Sequence, residues 1–261
     1  MFDFFKKKEV PQESVVPVAQ SRKDYDNPDR VIAYFKAQTG ITFEKQRDIF
    51  RKKLETFCIL HHIDTFDECL NRVQEEASLR QELTNALTTN ESYFFREYAQ
   101  FEQMVAIAKT LPRPFRILCA PCATGEEPYS ITIVLLEAGF LPSSFEVIGV
   151  DINTKALEHA RQGRYNERSM RNIPEALRQK YFSSTDGAYY EVNQSLRAQV
   201  SLHQVNIFET EFLTLGKFDL VFSRNMLIYF DKETKRDAQK ILESVRRDSE
   251  IPVFFGHADL F

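Results

Sequence analysis

Between residues 22 and 87 the apolar positions recur every three or four residues: Val31, Ile32 and Phe35, then Ile49, Phe50, Leu54 and Phe57, then Phe66, Leu70 and Val73. That spacing places each set on one face of an α-helix and predicts a small all-helical unit. Helix starts are signalled at Asn27-Pro28-Asp29 and at Thr42, a stop at Gly40, and a break at His61, His62, Asp64 and Thr65. Beyond Pro112-Arg113-Pro114 the period changes. Short apolar runs at 115–119, 145–150 and 218–223 read as strands, and the stretches 128–138, 154–162 and 232–246 as helices between and after them. Strands alternating with helices imply an α/β fold, a parallel sheet covered on both faces. Two further runs, 189–192 and 199–202, alternate like strands around a short 193–197 segment and predict a small antiparallel insert at about 183–204. The expected organisation is an arm at 1–20, a helical domain at 21–90, and an α/β domain at 91–261 whose first part, 91–114, is a linker.

Composition narrows this picture modestly. With 43% hydrophobic and 28% charged residues the chain is ordinary globular material, and no stretch approaches the roughly 20 consecutive apolar residues of a membrane span. The start, Met1-Phe2-Asp3-Phe4-Phe5-Lys6-Lys7-Lys8, lacks a leader's long apolar region, so a cytoplasmic monomer is expected. This arm reads as a mobile tail, with a weak membrane-surface or partner anchor as the other reading. A net charge of −4 argues against nucleic-acid binding across the whole surface. Cys119 and Cys122 form a C-x-x-C pair, but neither a second pair nor H-x-x-x-H accompanies them, so metal or redox chemistry is not expected. His61 and His62 point apart on a helix and read as helix-end residues rather than ligands.

An open parallel sheet holds its ligand at the carboxyl ends of the strands, where the strand order reverses. Three features fall there. The strand at 115–119 runs into A-P-C-A-T-G-E-E-P, a small-residue loop whose helix start is marked by Glu126, Glu127 and Pro128. A dinucleotide-binding turn carries G-x-G-x-x-G so that backbone can approach a pyrophosphate. This loop has only Gly125 and sets two carboxylates where a phosphate would lie. Such a loop repels anionic cofactors and suits the sulfonium and amino group of S-adenosylmethionine, unless both acids serve only the helix dipole. Asp151 follows the run V-I-G-V, where it either accepts hydrogen bonds from both ribose hydroxyls or caps the next helix. The third feature, F-S-R-N-M-L-I-Y-F at 222–230, delivers Arg224, Asn225 and Tyr229. A buried Arg without a partner is very costly, so Arg224 and Asn225 belong near a site or in a pairing, whereas Tyr229 reads as either a site residue or a core aromatic.

The run T-T-N-E-S-Y-F-F-R-E at 88–97 resembles the hallmark T-x-N-x-[ST]-x-F-F-R-[DE] of the CheR-type chemotaxis-receptor glutamate O-methyltransferases, found at the junction of their helical and cofactor domains. T-G-E-E-P-Y-S at 124–130, G-V-D-I-N at 149–153, A-R-Q-G-R-Y at 160–165, R-N-M-L-I-Y-F-D at 224–231 and G-H-A-D at 256–259 are similar to that family's motifs, in the same order. The resemblance runs from about Val31 to the last residue. It implies a Rossmann-like S-adenosylmethionine-dependent methyltransferase domain behind a small N-terminal all-helical domain, with a small inserted antiparallel β-subdomain. It also implies S-adenosylmethionine as cofactor, S-adenosylhomocysteine as product, and no metal. By position, Asn90, Ser92 and Arg96 would line the cofactor pocket, Glu127 would meet the methionine or amino end, and Asp151 the ribose. Asn206 and Ile207 would border the adenine, and Arg224 and Asn225 would complete the pocket. Arg96 and Tyr229 become the candidates for orienting the substrate carboxylate.

The partner so implied is the cytoplasmic helical domain of chemoreceptors. Lys45, Arg47, Arg51, Lys52 and Lys53 share a helical face that either docks on an acidic receptor helix or is simply solvated. Some family members hold a receptor's C-terminal pentapeptide with the β-subdomain; here the link at 183–188 is short, with one glycine, so a tether-independent enzyme is expected. Asp259 stands where the family commonly has Glu. The chain stops soon after a strand at 252–256, where relatives usually continue through a final helix and strand, so either a truncated or a variant fold end is expected, leaving an exposed sheet edge or hydrophobic surface. Other readings are a methyltransferase of the same fold for another protein or small molecule, and a cofactor-binding signalling module.

Overall fold

The computed structural model describes residues 24–43, 46–184 and 187–260; the expected arm at 1–20, Lys45 and two residues of the 183–188 link lie outside the described residues. Four helices, α1 (Asp29–Thr39), α2 (Arg47–Leu60), α3 (Phe66–Glu75) and α4 (Ala77–Leu87), build the N-terminal unit. Val31, Phe35, Phe50, Leu54, Phe57, Phe66, Leu70 and Val73 close with Leu79, Leu83 and Leu87 into one core, each aimed inward by its helical spacing. Thr65 caps α3 by accepting from the Glu68 N–H, and His61 and His62 lie at the end of α2. Two details differ from expectation. Instead of starting after Thr42, α2 starts at Arg47, and the Thr42 N–H is donated to the carbonyl of Tyr229 at 2.8 Å, tying 41–43 to the second domain. Ile49, counted with the core stripe, is 51% exposed.

After α5 (Tyr98–Ala108) come β1 (Phe115–Cys119), α6 (Glu126–Glu137), β2 (Phe145–Asp151), α7 (Thr154–Gln162), β3 (Arg164–Asn166), α8 (Glu167–Met170) and α9 (Glu175–Tyr181). The chain continues through β4 (Phe182–Ser184), β5 (Tyr189–Val192), α10 (Gln194–Arg197), β6 (Val200–Gln204), α11 (Thr210–Thr214), β7 (Leu220–Ser223), α12 (Lys232–Ser244) and β8 (Phe254–Phe255). Five strands form an all-parallel sheet in the order β6-β2-β1-β7-β8. Successive side chains go to opposite faces. Ile117, Val147, Leu220 and Phe222 pack with Phe101 of α5 and Ile131 of α6, while Leu118, Ile148 and Val221 pack with Phe212 of α11 and Leu242 of α12. Both faces are therefore covered, which is why these strands read as continuous apolar runs.

The antiparallel expectation is corrected in its strands. The run at 199–202 belongs to β6, which pairs in parallel with β2 from Val147↔Val200 to Asp151↔Gln204 as an edge of the main sheet. The separate antiparallel sheet is β3-β5-β4. Period-two alternation does not distinguish these cases, because an edge strand of an open sheet and a strand of a small hairpin sheet both keep one face wet. Boundaries also shift: α6 begins two residues before 128, α12 ends at Ser244 rather than 246, and the strands expected at 218–223 and 252–256 are confined to Leu220–Ser223 and Phe254–Phe255. No helix among the described residues is long and apolar enough to cross a membrane.

With β1 between β2 and β7, the chain leaves β1 in opposite directions, and the carboxyl ends of these three strands meet at the reversal. Gly125 makes the β1–α6 turn possible. Its φ is 94°, and a Cβ there would lie 2.7 Å from the Cβ and 3.2 Å from the Cα of Ala160 in α7. Gly125→Ala is expected to lower the thermal midpoint by roughly 4–8 °C, from about 2 kcal/mol of strain at about 2–4 °C per kcal/mol for a chain of this size. Differential scanning calorimetry checks this, and an unchanged midpoint would refute the close packing of α6 on α7.

Candidate active site

The loop after β1 extends the sheet's bonding to both neighbours: the Ala120 N–H is donated to Phe222 and the Cys122 N–H to Val150, at 2.9 and 2.8 Å. Cys119 and Cys122 are buried free thiols, and burial pushes both well above the usual thiol range. At the start of α6 the two acids diverge. Glu126 turns away from the crevice and accepts from the hydroxyls of Thr124 (2.6 Å) and Ser169 (3.1 Å), with burial raising its pKa. Glu127 forms a buried ion pair with Arg224, the Arg that needed a partner, and Arg224 also donates to the carbonyl of Arg96. The other Glu127 oxygen, Oε1, is buried with no hydrogen-bond partner among the described residues.

Asp151 ends β2 almost fully buried. Its Oδ2 accepts from the Ala123 N–H at 2.9 Å and its Oδ1 from the Asn153 N–H at 2.8 Å. Burial nonetheless pushes the carboxyl up to about 6, against the lowering effect of those donors. The cap of α7 is Asn153, which accepts from the Ala156 N–H at 2.9 Å, so capping is not the work of Asp151. Asn153 also donates to the Thr88 hydroxyl at 2.7 Å and ties the interdomain segment to β2.

Two adjoining cavities open at this point, each of about 310 Å³. The first is walled by Asn90, Asp151, Asn206, Ile207 and Phe208, with Thr39, Ile41, Phe43, Lys53 and Leu87 of the helical unit as its roof. The second is walled by Ser92, Tyr93, Arg96, Glu127, Arg224 and Ile228. Thr89, Pro121, Ala123, Asn225 and Tyr229 line both. The structure thus brings all ten expected site residues to one or other cavity, with Asn225 and Tyr229 at the junction. Asn206 donates to the Gln38 carbonyl at 2.8 Å, and the Oδ1 of Asn225 is buried without a partner among the described residues. Tyr229 is half-buried, and desolvation raises its phenol, partly offset by the Thr89 hydroxyl and the nearby Arg96. Arg96 stands over the Tyr93 ring at 5.5 Å and has no carboxylate partner among the described residues.

The expected basic face is corrected at one position. Arg51 and Lys52 are exposed and Arg47 pairs with Asp29 at the surface, but Lys53 turns inward, where its ammonium donates to the carbonyls of Leu87 (3.1 Å) and Thr88 (3.4 Å) and burial lowers its pKa. The roof residues were missed. Their signal was Ile41 and Phe43 directly after the Gly40 stop, two large apolar side chains outside any helical period.

An adenosyl pocket suits this donor set: a carboxylate at the end of β2, an apolar compartment beside it, and a buried acidic oxygen without a hydrogen-bond partner among the described residues. Together the fold and the paired cavities define an S-adenosylmethionine-dependent methyltransferase. Residues 90–261 match the family described as CheR methyltransferase, SAM binding domain. The chain is 32% identical over 222 residues to a chemotaxis protein methyltransferase of Campylobacter jejuni, covering 85% of this chain and 84% of that one. It is 35% identical over 239 residues to chemotaxis protein methyltransferase 2 of Vibrio cholerae, with 87% and 82% covered. The protein belongs to the CheR methyltransferase family.

Because the Asp151 carboxyl is raised from 3.8 to about 6 in the folded chain, the folded state holds a proton that the unfolded state releases. The stabilisation from that proton is full below about pH 4 and is lost as pH rises through about 6. In the cofactor-free protein, the thermal midpoint of the wild type should therefore gain on that of Asp151→Asn as pH falls from 7.5 to 5. A midpoint difference that does not change with pH would refute the raised carboxyl.

Proposed function

We propose that the protein transfers the methyl group of S-adenosylmethionine to glutamate side chains of chemoreceptors, giving glutamyl methyl esters and S-adenosylhomocysteine. The observation that carries this reading is the second cavity, where the unpaired Arg96 guanidinium and the Tyr229 phenol stand together while both lining carboxylates are already committed. Glu127 is paired with Arg224, and Glu91 with Arg168 at 2.6 Å. A hydroxyl or ammonium acceptor would need a base to take its proton, and both carboxylates that line this cavity are ion-paired to arginines. A glutamate acceptor needs none: its pKa of about 4.3 leaves it ionised at neutral pH. What it does need is aim, which a guanidinium fork and a phenol supply.

In this reading S-adenosylmethionine supplies the electrophilic methyl group on a positively charged sulfur. Asp151 accepts from the ribose hydroxyls, Asn206 and Ile207 border the adenine, and the free oxygen of Glu127 accepts from the ammonium. Asn90, Ser92 and Arg96 line the cofactor pocket, Arg224 and Asn225 complete it, and Arg96 with Tyr229 orients the acceptor. The exposed Arg47, Arg51 and Lys52 meet an acidic receptor helix in the cytoplasm. The short 183–188 link favours receptor recognition without a C-terminal pentapeptide, and retention of the protein on such a peptide in a pulldown would overturn that part.

Arg96→Ala is expected to reduce methyl transfer to receptor membranes more than tenfold with an unchanged thermal midpoint; near-normal turnover would sink the assignment. Asp151→Ala should weaken S-adenosylhomocysteine binding at least tenfold by calorimetry. The double charge reversal Arg51→Glu with Lys52→Glu should lower receptor methylation while leaving that affinity intact, and full methylation would exclude the docking face.

A further inference from the structure

The turn His257–Leu260 touches both walls of the second cavity. Asp259 is 1% exposed; its Oδ2 accepts from the backbone N–H groups of Asn225 (2.5 Å) and Gly256 (3.1 Å), and its Oδ1 from that of Ile228 (3.2 Å). A buried carboxyl group accepting from three backbone donors holds 225–228 much as a side-chain cap holds a helix start. That segment needs holding, since Asn225 is a non-glycine residue at φ 60°. The turn has no slack against it: a Cβ on Gly256 would lie 2.8 Å from the Asn225 nitrogen and 3.0 Å from Asp259 Oδ2. From the other side, both carboxylate oxygens of Glu97 accept from the His257 N–H at 3.2 and 3.3 Å, and the Gln100 amide donates to the Phe255 carbonyl at 2.7 Å. Glu97 directly follows Arg96, and Ile228 directly precedes Tyr229. The turn is itself anchored to α12 by Lys235, whose ammonium donates to the Asp259 carbonyl.

We propose that Asp259 is a positioning residue for methyl transfer: through the 256–260 turn it fixes the Tyr229 loop against the segment carrying Arg96, and so sets the spacing of the two side chains that hold the acceptor carboxylate. The proposal rests on the functional reading above, in which Arg96 and Tyr229 orient that carboxylate.

The test measures methyl transfer to a receptor cytoplasmic fragment by the full chain carrying Asp259→Asn, Asp259→Glu or Lys235→Met, each alone and combined with Tyr229→Phe. Asp259→Asn should lower kcat at least tenfold with the calorimetric Kd for S-adenosylhomocysteine changed less than threefold. In the Tyr229→Phe background the same substitution should cost less than threefold, because the spacing it sets no longer matters. Asp259→Glu, which keeps an anionic acceptor, should restore kcat to within threefold of wild type. Lys235→Met leaves the buried carboxylate in place and carries the test if Asp259→Asn does not fold; its own two- to fivefold loss should vanish in the Tyr229→Phe background. Losses that multiply in the two backgrounds, or a fall in kcat matched by an equal loss of S-adenosylhomocysteine affinity, would overturn the proposal while the functional reading stands. A wild-type protein that transfers no methyl to receptor glutamates would overturn both.

Discussion

Two charges taken out of water cost several kcal/mol each unless they meet in good geometry. Here the pair is Glu127, in the first turn of α6, and Arg224, one residue beyond β7. Their contact fixes the loop after β1 against the loop after β7, across the point where the strand order reverses. Arg224 spends a further N–H on the Arg96 carbonyl and lays its guanidinium over the Phe101 ring at 5.0 Å. One buried cation thereby positions three segments: the cofactor loop, the last strand of the crevice and the interdomain run. Removing either partner would strand the other charge and release all three together, so the pair is better understood as a joint than as a contributor to net stability.

The interdomain run is held as tightly from its other side. Phe95 donates its N–H to the Ser130 hydroxyl at 3.0 Å and Phe94 to the Ser169 carbonyl at 3.0 Å, while Lys53 and Asn153 secure Leu87 and Thr88. Phe95 and Glu97 both adopt positive φ, a cost that non-glycine residues bear only where surrounding contacts leave no alternative. The helical unit is consequently part of the pocket. Its Thr42 N–H is bonded to the Tyr229 carbonyl and its Gln38 carbonyl to Asn206, so the roof over the first cavity and the tyrosine at the junction are in direct hydrogen-bond contact.

The helical cores and the parallel sheet were legible because they follow local periods: Phe50, Leu54 and Phe57 each point inward for reasons contained in their own helix. What was not legible depends on direction in three dimensions. Ile49 and Lys53 sit one residue from core positions on α2, and both turn toward the cavity, one as a wall and one as a donor to the end of α4. Spacing alone assigned them to the core stripe and the solvated face. Likewise nothing in E-E-P says which carboxylate meets Arg224; the phase of α6 decides it, rotating Glu126 toward Thr124 and Ser169 and leaving Glu127 on the crevice. Asp259 was visible only as a departure from a motif, because its N–H partners at 225 and 228 are brought to it by the pairing of β8 with β7.

The proposed transfer brings a cationic donor to an anionic acceptor and leaves two uncharged groups. Such a reaction is favoured where water is excluded, since the opposite charges attract more strongly there and lose less solvation as they disappear. The walls offer Pro121, Cys122 and Ala123, and an Arg–Glu pair that is neutral overall. Arg96 works against it, because a guanidinium clamped on the acceptor would stabilise the charge that has to vanish. Arg96 is half-buried over the Tyr93 ring, and in the proposed reaction a guanidinium shared with an aromatic face and with solvent would direct the carboxylate without binding it at full strength. On the same proposal, Arg224, the more deeply buried cation, would need its pairing with Glu127 before an acceptor arrives. Left free, it would hold the glutamate in the wrong place.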